Sequence, residues 1–247
     1  MSACLTRVVP VVLIVFLALT GTEIQAQELS LDLGDGGSIT VRSIQLILLI
    51  TVLSLAPGIA IMVTCFPFIV TVLSILRQAL GLQQAPPNML IVTLAMFLTY
   101  YVMDPVFTAA WEQGIQPVFE ESLPLEDGFK RALNPFRAFM AARLDSDTFD
   151  AMAALRPDVE AEVSPEAPLS VLIPSFLLSE ISRAFQVGFL IFLPFLIIDL
   201  VVAAILMSMG MMMVPPAIVS LPFKLAFFVV ADGWALVTSS LVRGYLE

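Results

Sequence analysis

The sequence contains no histidine, and this absence excludes several classes of functional site at once. Histidine supplies much of the acid–base chemistry that enzymes use near neutral pH, and it is a frequent zinc ligand. The two cysteines, Cys4 and Cys65, are too far apart in sequence for a CxxC motif, and two residues cannot build a disulfide framework. We therefore predict no catalytic residues, no metal site, no cofactor and no nucleic-acid partner.

Charge is also scarce, since charged residues make up only 13% of the 247 residues while hydrophobic residues make up 59%. The mean hydropathy is +0.99, and soluble domains are clearly less apolar. The composition predicts an all-α membrane protein with four long apolar helices in two pairs. These helices lie in the charge-free runs 43–76, 78–103, 184–198 and 200–223.

The N-terminus has the pattern of a secretory signal peptide. Arg7 precedes an apolar run at 8–19, and Ala26 ends a segment with a tolerable cleavage context. We predict a signal peptide at 1–26, with an uncleaved membrane anchor as the alternative. The following residues, 27–43, are predicted to form a mobile acidic lead.

A polar middle separates the two apolar regions. Residues 104–180 carry 14 acidic and 5 basic side chains, and we assign 113–180 to an acidic extracytoplasmic segment. Its stretches EESLPLEDG and RPDVEAEVSPEAP are predicted to be exposed loops. Residues 135–155 have helical periodicity, which predicts an amphipathic helix that packs on its own neighbours or contacts a second subunit.

The two apolar regions are predicted to be broken helical hairpins, at 44–112 with its tip at 81–88 and at 181–247 with its tip at 207–216. A glycine lets the first helix of a hairpin end, and a proline opens the next helix but cannot continue the previous one. Asn88 is a candidate cap for the second helix of the first hairpin. The tip residues are Gly81, Pro86 and Pro87 in the first hairpin and Gly210, Pro215 and Pro216 in the second.

Two charges interrupt the second apolar hairpin at matching heights on either side of its tip. Asp199 precedes the tip and Lys224 follows it, so we predict that they pair within one chain or between adjacent copies. Such a pair would hold hairpins together or, as the alternative, serve transport. Glu180 and Arg183 are predicted to form a local helix pair at the entry to this hairpin.

Helix-breaking residues are frequent within the apolar runs. They are predicted to interrupt the helices at Pro57-Gly58, Pro67, Pro194 and Pro222. In lipid, broken helices are tolerated only where protein or a cavity satisfies the freed backbone groups. This pattern favours a tightly associated helix bundle.

Three long motifs give the chain a specific resemblance. LRQALGLQQAPPN, DLVVAAILMSMGMMM and SLPFKL resemble the FliP family of flagellar biosynthetic proteins and its relatives in virulence type III secretion. The resemblance covers residues 55–104 and 180–243, and the signal peptide with its acidic outer segment is typical of the flagellar branch. The chain departs from the family at Phe68, where an arginine is usual, and Pro67 beside it suggests a local kink.

The resemblance implies a core subunit of the type III export gate, which passes unfolded flagellar proteins across the bacterial inner membrane at the flagellar basal body. It implies a ring-like, pentameric pore that FliQ and FliR complete, with FlhA and FlhB around it and lipid at its surface. The family's methionine-rich loop is a gasket in the pore, and methionine side chains are flexible enough to close on one another. Here the gasket residues are Met209, Met211, Met212 and Met213. From the residues alone, a secondary transporter or a membrane scaffold remain alternatives.

Overall fold

The computed structural model describes residues 39–82, 85–156, 162–211 and 213–246. The predicted signal peptide and most of the predicted acidic lead therefore lie outside the described residues. The chain divides into two compact units, 1–49 and 50–247. In the smaller unit the described residues are helical, and every contact discussed below lies in the larger unit.

The described residues are organised as α-helices with one short π-helix. In chain order they are α1 (Ile39–Met62), α2 (Phe66–Ala79), α3 (Asn88–Ala110), the π-helix (Trp111–Ile115), α4 (Gln116–Phe119), α5 (Leu125–Arg143), α6 (Ser146–Ala154), α7 (Leu169–Ser208), α8 (Pro216–Val230) and α9 (Gly233–Leu246).

Helix α2 lies at the centre of the main core, between α3 and α7. It is apolar along one face and buries that face, which includes Ile69, Val72 and Leu76 with no exposed surface. Phe228 of α8 and Leu241 of α9 belong to the same cluster. The two apolar regions of the sequence therefore share one core, and α2 is the helix around which they assemble.

A second core lies under the acidic middle of the chain. Met140 of α5, Phe149 of α6 and Phe176 of α7 are buried in it. Because α7 begins at Leu169, it contributes its first turns to this core and its later turns to the main core. The polar middle is thus fixed directly to the second hairpin.

The prediction of four long apolar helices is wrong for the described residues. Two helical stretches there are long and apolar enough to cross a membrane. They are Asn88–Phe119, which joins α3, the π-helix and α4, and Leu169–Ser208, which is α7. The number rises to three if α8 and α9, bent by 61°, form one span. Helix α2 has 14 residues and therefore a length of about 21 Å, less than the roughly 30 Å of a hydrocarbon core. Apolar composition alone misled the count, because the charge-free run 43–76 is broken at 63–65 and the short helix that follows the break, α2, is buried by protein.

The predicted positions of the helix breaks also need correction. Helices α1, α7 and α8 run through Pro57, Pro194 and Pro222 without ending. The break predicted at Pro67 is confirmed, since α1 ends at Met62 and Pro67 lies in the first turn of α2, and a further break lies at Ala231–Asp232. Proline is tolerated inside apolar helices whose neighbours satisfy the freed carbonyl groups, whereas it strongly favours a helix start.

Three further expectations differ from the structure. Residues 39–43 belong to α1 and not to the acidic lead. The stretch EESLPLEDG is a loop only until Pro124, since Leu125 starts α5 with two acidic residues in its first turn, where the helix dipole favours them. The helix predicted at 135–155 is divided, because Asp145 accepts a hydrogen bond from the Thr148 backbone N–H and so caps a new helix, α6.

Candidate functional site

The methionine-rich tip of the second hairpin begins with a tightly closed turn. The backbone N–H of Gly210 donates to the Met207 carbonyl over 3.0 Å, and that of Met211 donates to the Leu206 carbonyl over 3.0 Å. This is the Schellman pattern of helix ends, and it requires a left-handed residue where Gly210 has φ = +76°. The glycine predicted at this tip therefore ends α7, and Pro216 opens α8 with Pro215 as its N-cap residue.

The described methionines of this tip point away from the core. Met213 is 97% exposed and Met209 is 66% exposed, while Met211 is partly covered. The buried Leu206 holds the helix end beneath them. Met212 lies outside the described residues. The tip thus presents large, flexible apolar side chains that this single chain leaves uncovered.

The first hairpin tip uses the same glycine geometry with different surroundings. Gly81 also has φ = +76°, and its N–H donates to the Gln78 carbonyl over 3.0 Å. The peptide bond before Pro86 is cis, and Pro87 is the N-cap residue of α3. Asn88 does not cap this helix as predicted, because its side-chain oxygen instead accepts a hydrogen bond from Arg77.

Asp199 and Lys224 lie in direct contact within the chain. Lys224 Nζ donates to Asp199 Oδ2 over 2.6 Å, and the hydroxyl of Ser220 donates to Asp199 Oδ1 over 2.5 Å. The pair ties α7 to α8 behind the methionine-rich tip. The Lys224 side chain is 7% exposed and that of Asp199 is 35% exposed, so only the carboxylate reaches the surface.

Lys224 also connects the two hairpins. Its Nζ donates to the backbone carbonyl of Ala79 over 3.1 Å, at the C-terminal end of α2. The last carbonyls of a helix lack partners within it and carry partial negative charge, so a buried ammonium satisfies and stabilises them. Gly81 lies beside this contact, since a Cβ added there would stand 4.0 Å from Lys224 Nζ and 3.5 Å from Leu221.

A second cluster of charges lies near the other end of α7. Glu180 is fully buried, and its Oε1 lies 3.5 Å from Arg143 Nε and 3.8 Å from Arg183 Nη1. The Tyr245 hydroxyl donates to the other oxygen of Glu180, and the Arg143 guanidinium lies 4.0 Å above the Tyr245 ring. The predicted pair of Glu180 with Arg183 is therefore one edge of a larger cluster that fixes the end of α9.

Phe68, the position at which the resemblance leads one to expect arginine, lies beside this second cluster. Its ring meets that of Tyr245 edge to face at 5.5 Å between centroids. Sequence reasoning missed Arg143 and Tyr245, because both are far from Glu180 in the chain and neither belongs to a recognised motif. In the described ranges no group of three Cys, Asp or Glu side chains is placed to hold a metal ion.

Comparison with known proteins shows the family of this chain. A model described as the FliP family matches residues 49–241. The chain belongs to the FliP family. It is 49% identical to the flagellar biosynthetic protein FliP of Caulobacter vibrioides over 216 residues, which cover 87% of this chain and 81% of that protein.

Other relatives carry the same description. The chain is 46% identical to FliP of Agrobacterium fabrum over 95% of this chain and 98% of the relative. It is 42% identical to FliP of Bacillus subtilis over 82% of this chain and 92% of the relative. Membership assigns the chain to flagellar export, as a membrane-associated component of the export apparatus and not as a member of a known enzyme family.

Proposed function

We propose that this chain is a core subunit of the flagellar protein export gate, and that several copies close a central channel with their methionine-rich tips. The observation that carries the proposal is the tip itself. Met209 is largely exposed on a turn that backbone hydrogen bonds close, and Met213 just beyond the turn is also largely exposed. Exposing such side chains is unfavourable for a lone chain, and covering them by copies of the same tip removes that cost.

The chemistry of methionine suits a seal against varied, unfolded chains. Its thioether side chain is unbranched and polarisable, so it adapts its shape to whatever passes and to its neighbours when nothing passes. An apolar constriction also stops ions, because water leaves it. We therefore assign the seal to Met209, Met211, Met212 and Met213.

The charges behind the tip support an anchoring role. Asp199 and Lys224 bind each other, and each has a second partner in the chain. Asp199 accepts from Ser220, and Lys224 donates to the Ala79 carbonyl. A secondary transporter would need polar groups that face its solute, whereas these face partners within the chain. The pair therefore serves to set the direction of the tip relative to α2.

The remaining parts of the proposal concern assembly and place. We propose a pentameric, ring-like complex in the bacterial inner membrane at the flagellar basal body, completed by FliQ and FliR and neighboured by FlhA and FlhB. Its cargo is unfolded flagellar protein. Residues 113–180 lie on the periplasmic side in this proposal, and 1–26 serve as the signal peptide.

Membrane conductance of cells that assemble the complex tests the seal. The variant carries Met209, Met211 and Met213 as alanine, which shortens the side chains but leaves the Gly210 turn unchanged. We expect the purified complex to retain its mass and the cells to leak small ions, since the constriction becomes wider and wetter.

The matched control is Met89→Ala. Met89 is a similarly exposed methionine, at the start of α3 and outside the methionine-rich tip. It should leave conductance at the wild-type level. If the triple variant assembles normally and conducts no more than this control, the tip does not seal the channel.

A further inference from the structure

A cavity of about 630 Å³ opens between α7 and α9, with α2 beneath it. Its lining is apolar almost throughout, with residues such as Leu190, Phe195 and Val237. The exceptions lie at one end, where Arg183 and Arg143 border the cavity. This volume is in the range of cavities that bind small ligands. We call this cavity the α7–α9 groove.

The dimensions of the α7–α9 groove match those of a lipid tail. It follows α7 from Arg183 to Phe195, a rise of about 18 Å at 1.5 Å per residue. One leaflet of a hydrocarbon core is about 15 Å thick. The groove therefore has a charged end and an apolar length of one leaflet.

The charged end carries two guanidinium groups. Both face the fully buried carboxylate of Glu180. The pKa of the exposed Asp145 carboxyl, which hydrogen bonds from Thr148 lower, is lowered further by Arg183, so Arg183 also lies near this acid. Arg143 is largely covered and also donates to the Gly244 carbonyl over 2.8 Å. The contact of Arg183 with Glu180 is long, at 3.8 Å, and its side chain is 38% exposed, so N–H groups of this guanidinium can reach an anion.

We propose that the α7–α9 groove binds an anionic phospholipid, with one acyl chain along α7 and α9 and the phosphate on Arg183. Basic pockets between apolar helices are known to take such headgroups. Arginine binds phosphate through two parallel N–H groups. In a zwitterionic lipid an ammonium group cancels the charge of the phosphate, so the guanidinium attracts that headgroup less strongly than an anionic one.

A second copy of this chain fits the charged end less well. The sequences of α1, α2, α8 and α9 contain no acidic residue, and the two acids of α7, Glu180 and Asp199, already contact cations within the chain. Among the long apolar helices, α3 alone offers another carboxylate, that of Asp104. A second copy could otherwise reach Arg183 only with acids outside these helices, and such acids do not fill the apolar length of the groove.

Native mass spectrometry of the purified full chain tests this site. The protein is released from micelles that contain phosphatidylglycerol or phosphatidylethanolamine, and the retained lipid is counted per chain. We expect one phosphatidylglycerol per chain to be retained in preference to phosphatidylethanolamine. Arg183→Gln should weaken phosphatidylglycerol retention about tenfold, the usual effect of losing one charge-assisted hydrogen bond.

Two further variants keep the test independent of folding and of total charge. Arg131→Gln removes the same charge from an exposed position of α5 outside the groove and should retain lipid as the wild type does. Gly244 borders the groove, and a Cβ added there meets no atom within 4 Å, so the chain has room for a side chain at this position and Gly244→Leu adds apolar bulk at the edge of the groove. It should displace both lipids while Arg183 remains.

Three results would overturn the proposal. The first is equal retention of the two lipids by the wild type. The second is equal loss of phosphatidylglycerol in Arg183→Gln and Arg131→Gln. The third concerns a chain that carries both Leu190→Cys and Asp104→Cys. If a disulfide forms between position 190 of one copy and position 104 of another and lipid is then no longer retained, the occupant of the groove is protein. None of these outcomes depends on export or on the methionine seal.

Discussion

Replacing Lys224 by methionine tests the anchor behind the methionine-rich tip. The change keeps most of the side chain's length, one heavy atom less, and removes the ammonium group, which contacts Asp199 at 2.6 Å and the Ala79 carbonyl at 3.1 Å. Breaking a buried ion pair from one side costs about 3–5 kcal/mol. Because the Asp199 side chain is about one-third exposed, water relieves part of this penalty, and we expect a loss of about 2–4 kcal/mol.

The reciprocal variant, Asp199→Asn, should cost at least as much. Asparagine still accepts from Ser220, but the change leaves a buried ammonium without its carboxylate. In the double variant neither charge remains, and the main loss is the hydrogen bond to Ala79, about 1–3 kcal/mol. The double variant should therefore lose about 4 kcal/mol less than the sum of the single variants.

The free energy of unfolding in mixed micelles measures this coupling. It is obtained from far-ultraviolet circular dichroism during titration with sodium dodecyl sulfate. The exposed pair of Lys130 and Glu126, with its own N–O distance of 2.7 Å, provides the control cycle. Surface pairs of this kind contribute little, so its coupling should lie near the error of measurement. If Asp199 and Lys224 behave additively as well, the pair does not anchor the hairpins.

Two other predictions concern the tip and the polar middle. Gly210→Ala should destabilise the chain by about 1 kcal/mol and disturb the tip, because alanine is strained at φ = +76°. The control Gly244→Ala lies within α9 and should not destabilise the chain. Thermal unfolding compares the two variants, and equal effects would contradict the role of the turn. The Thr148 hydroxyl and backbone N–H both donate to Asp145 and lower the pKa of its carboxyl. The resulting stability is present above the unfolded pKa of about 3.9 and is lost as pH falls through the lower folded pKa. Asp145→Asn should flatten this acid limb in a titration of unfolding free energy against pH, and an unchanged limb would argue against it.

Two features of the hairpins, the glycine that ends a helix at each tip and the charge pair behind the second tip, were predictable from the sequence, whereas the Asn88 cap and most of the breaks at single prolines were not. Gly210 and Gly81 are each followed by a proline pair, and short-range chemistry decides where such a helix ends. Asp199 and Lys224 stand at nearly equal distances from the second tip, so a hairpin brings them together without any knowledge of the rest of the fold. Each of these inferences needed only the residues of one hairpin.

The long-range contacts were not predictable in the same way. Lys224 reaches the Ala79 carbonyl, and Tyr245 reaches Glu180, across large separations that no periodic pattern records. The number of spans was overestimated because an apolar helix buried in protein, such as α2, has the same composition as one buried in lipid. The division of the helix at Asp145 depended on one side chain acting as a cap.

The central claim is that several copies bring their methionine-rich tips together around one axis. A density map of the complex purified from membranes, with its partner subunits, measures this directly. The account predicts that the side chains of Met209, Met211 and Met213 from neighbouring copies meet at the axis and close it. The claim would be contradicted by a map in which these side chains face lipid at the outer surface of the complex.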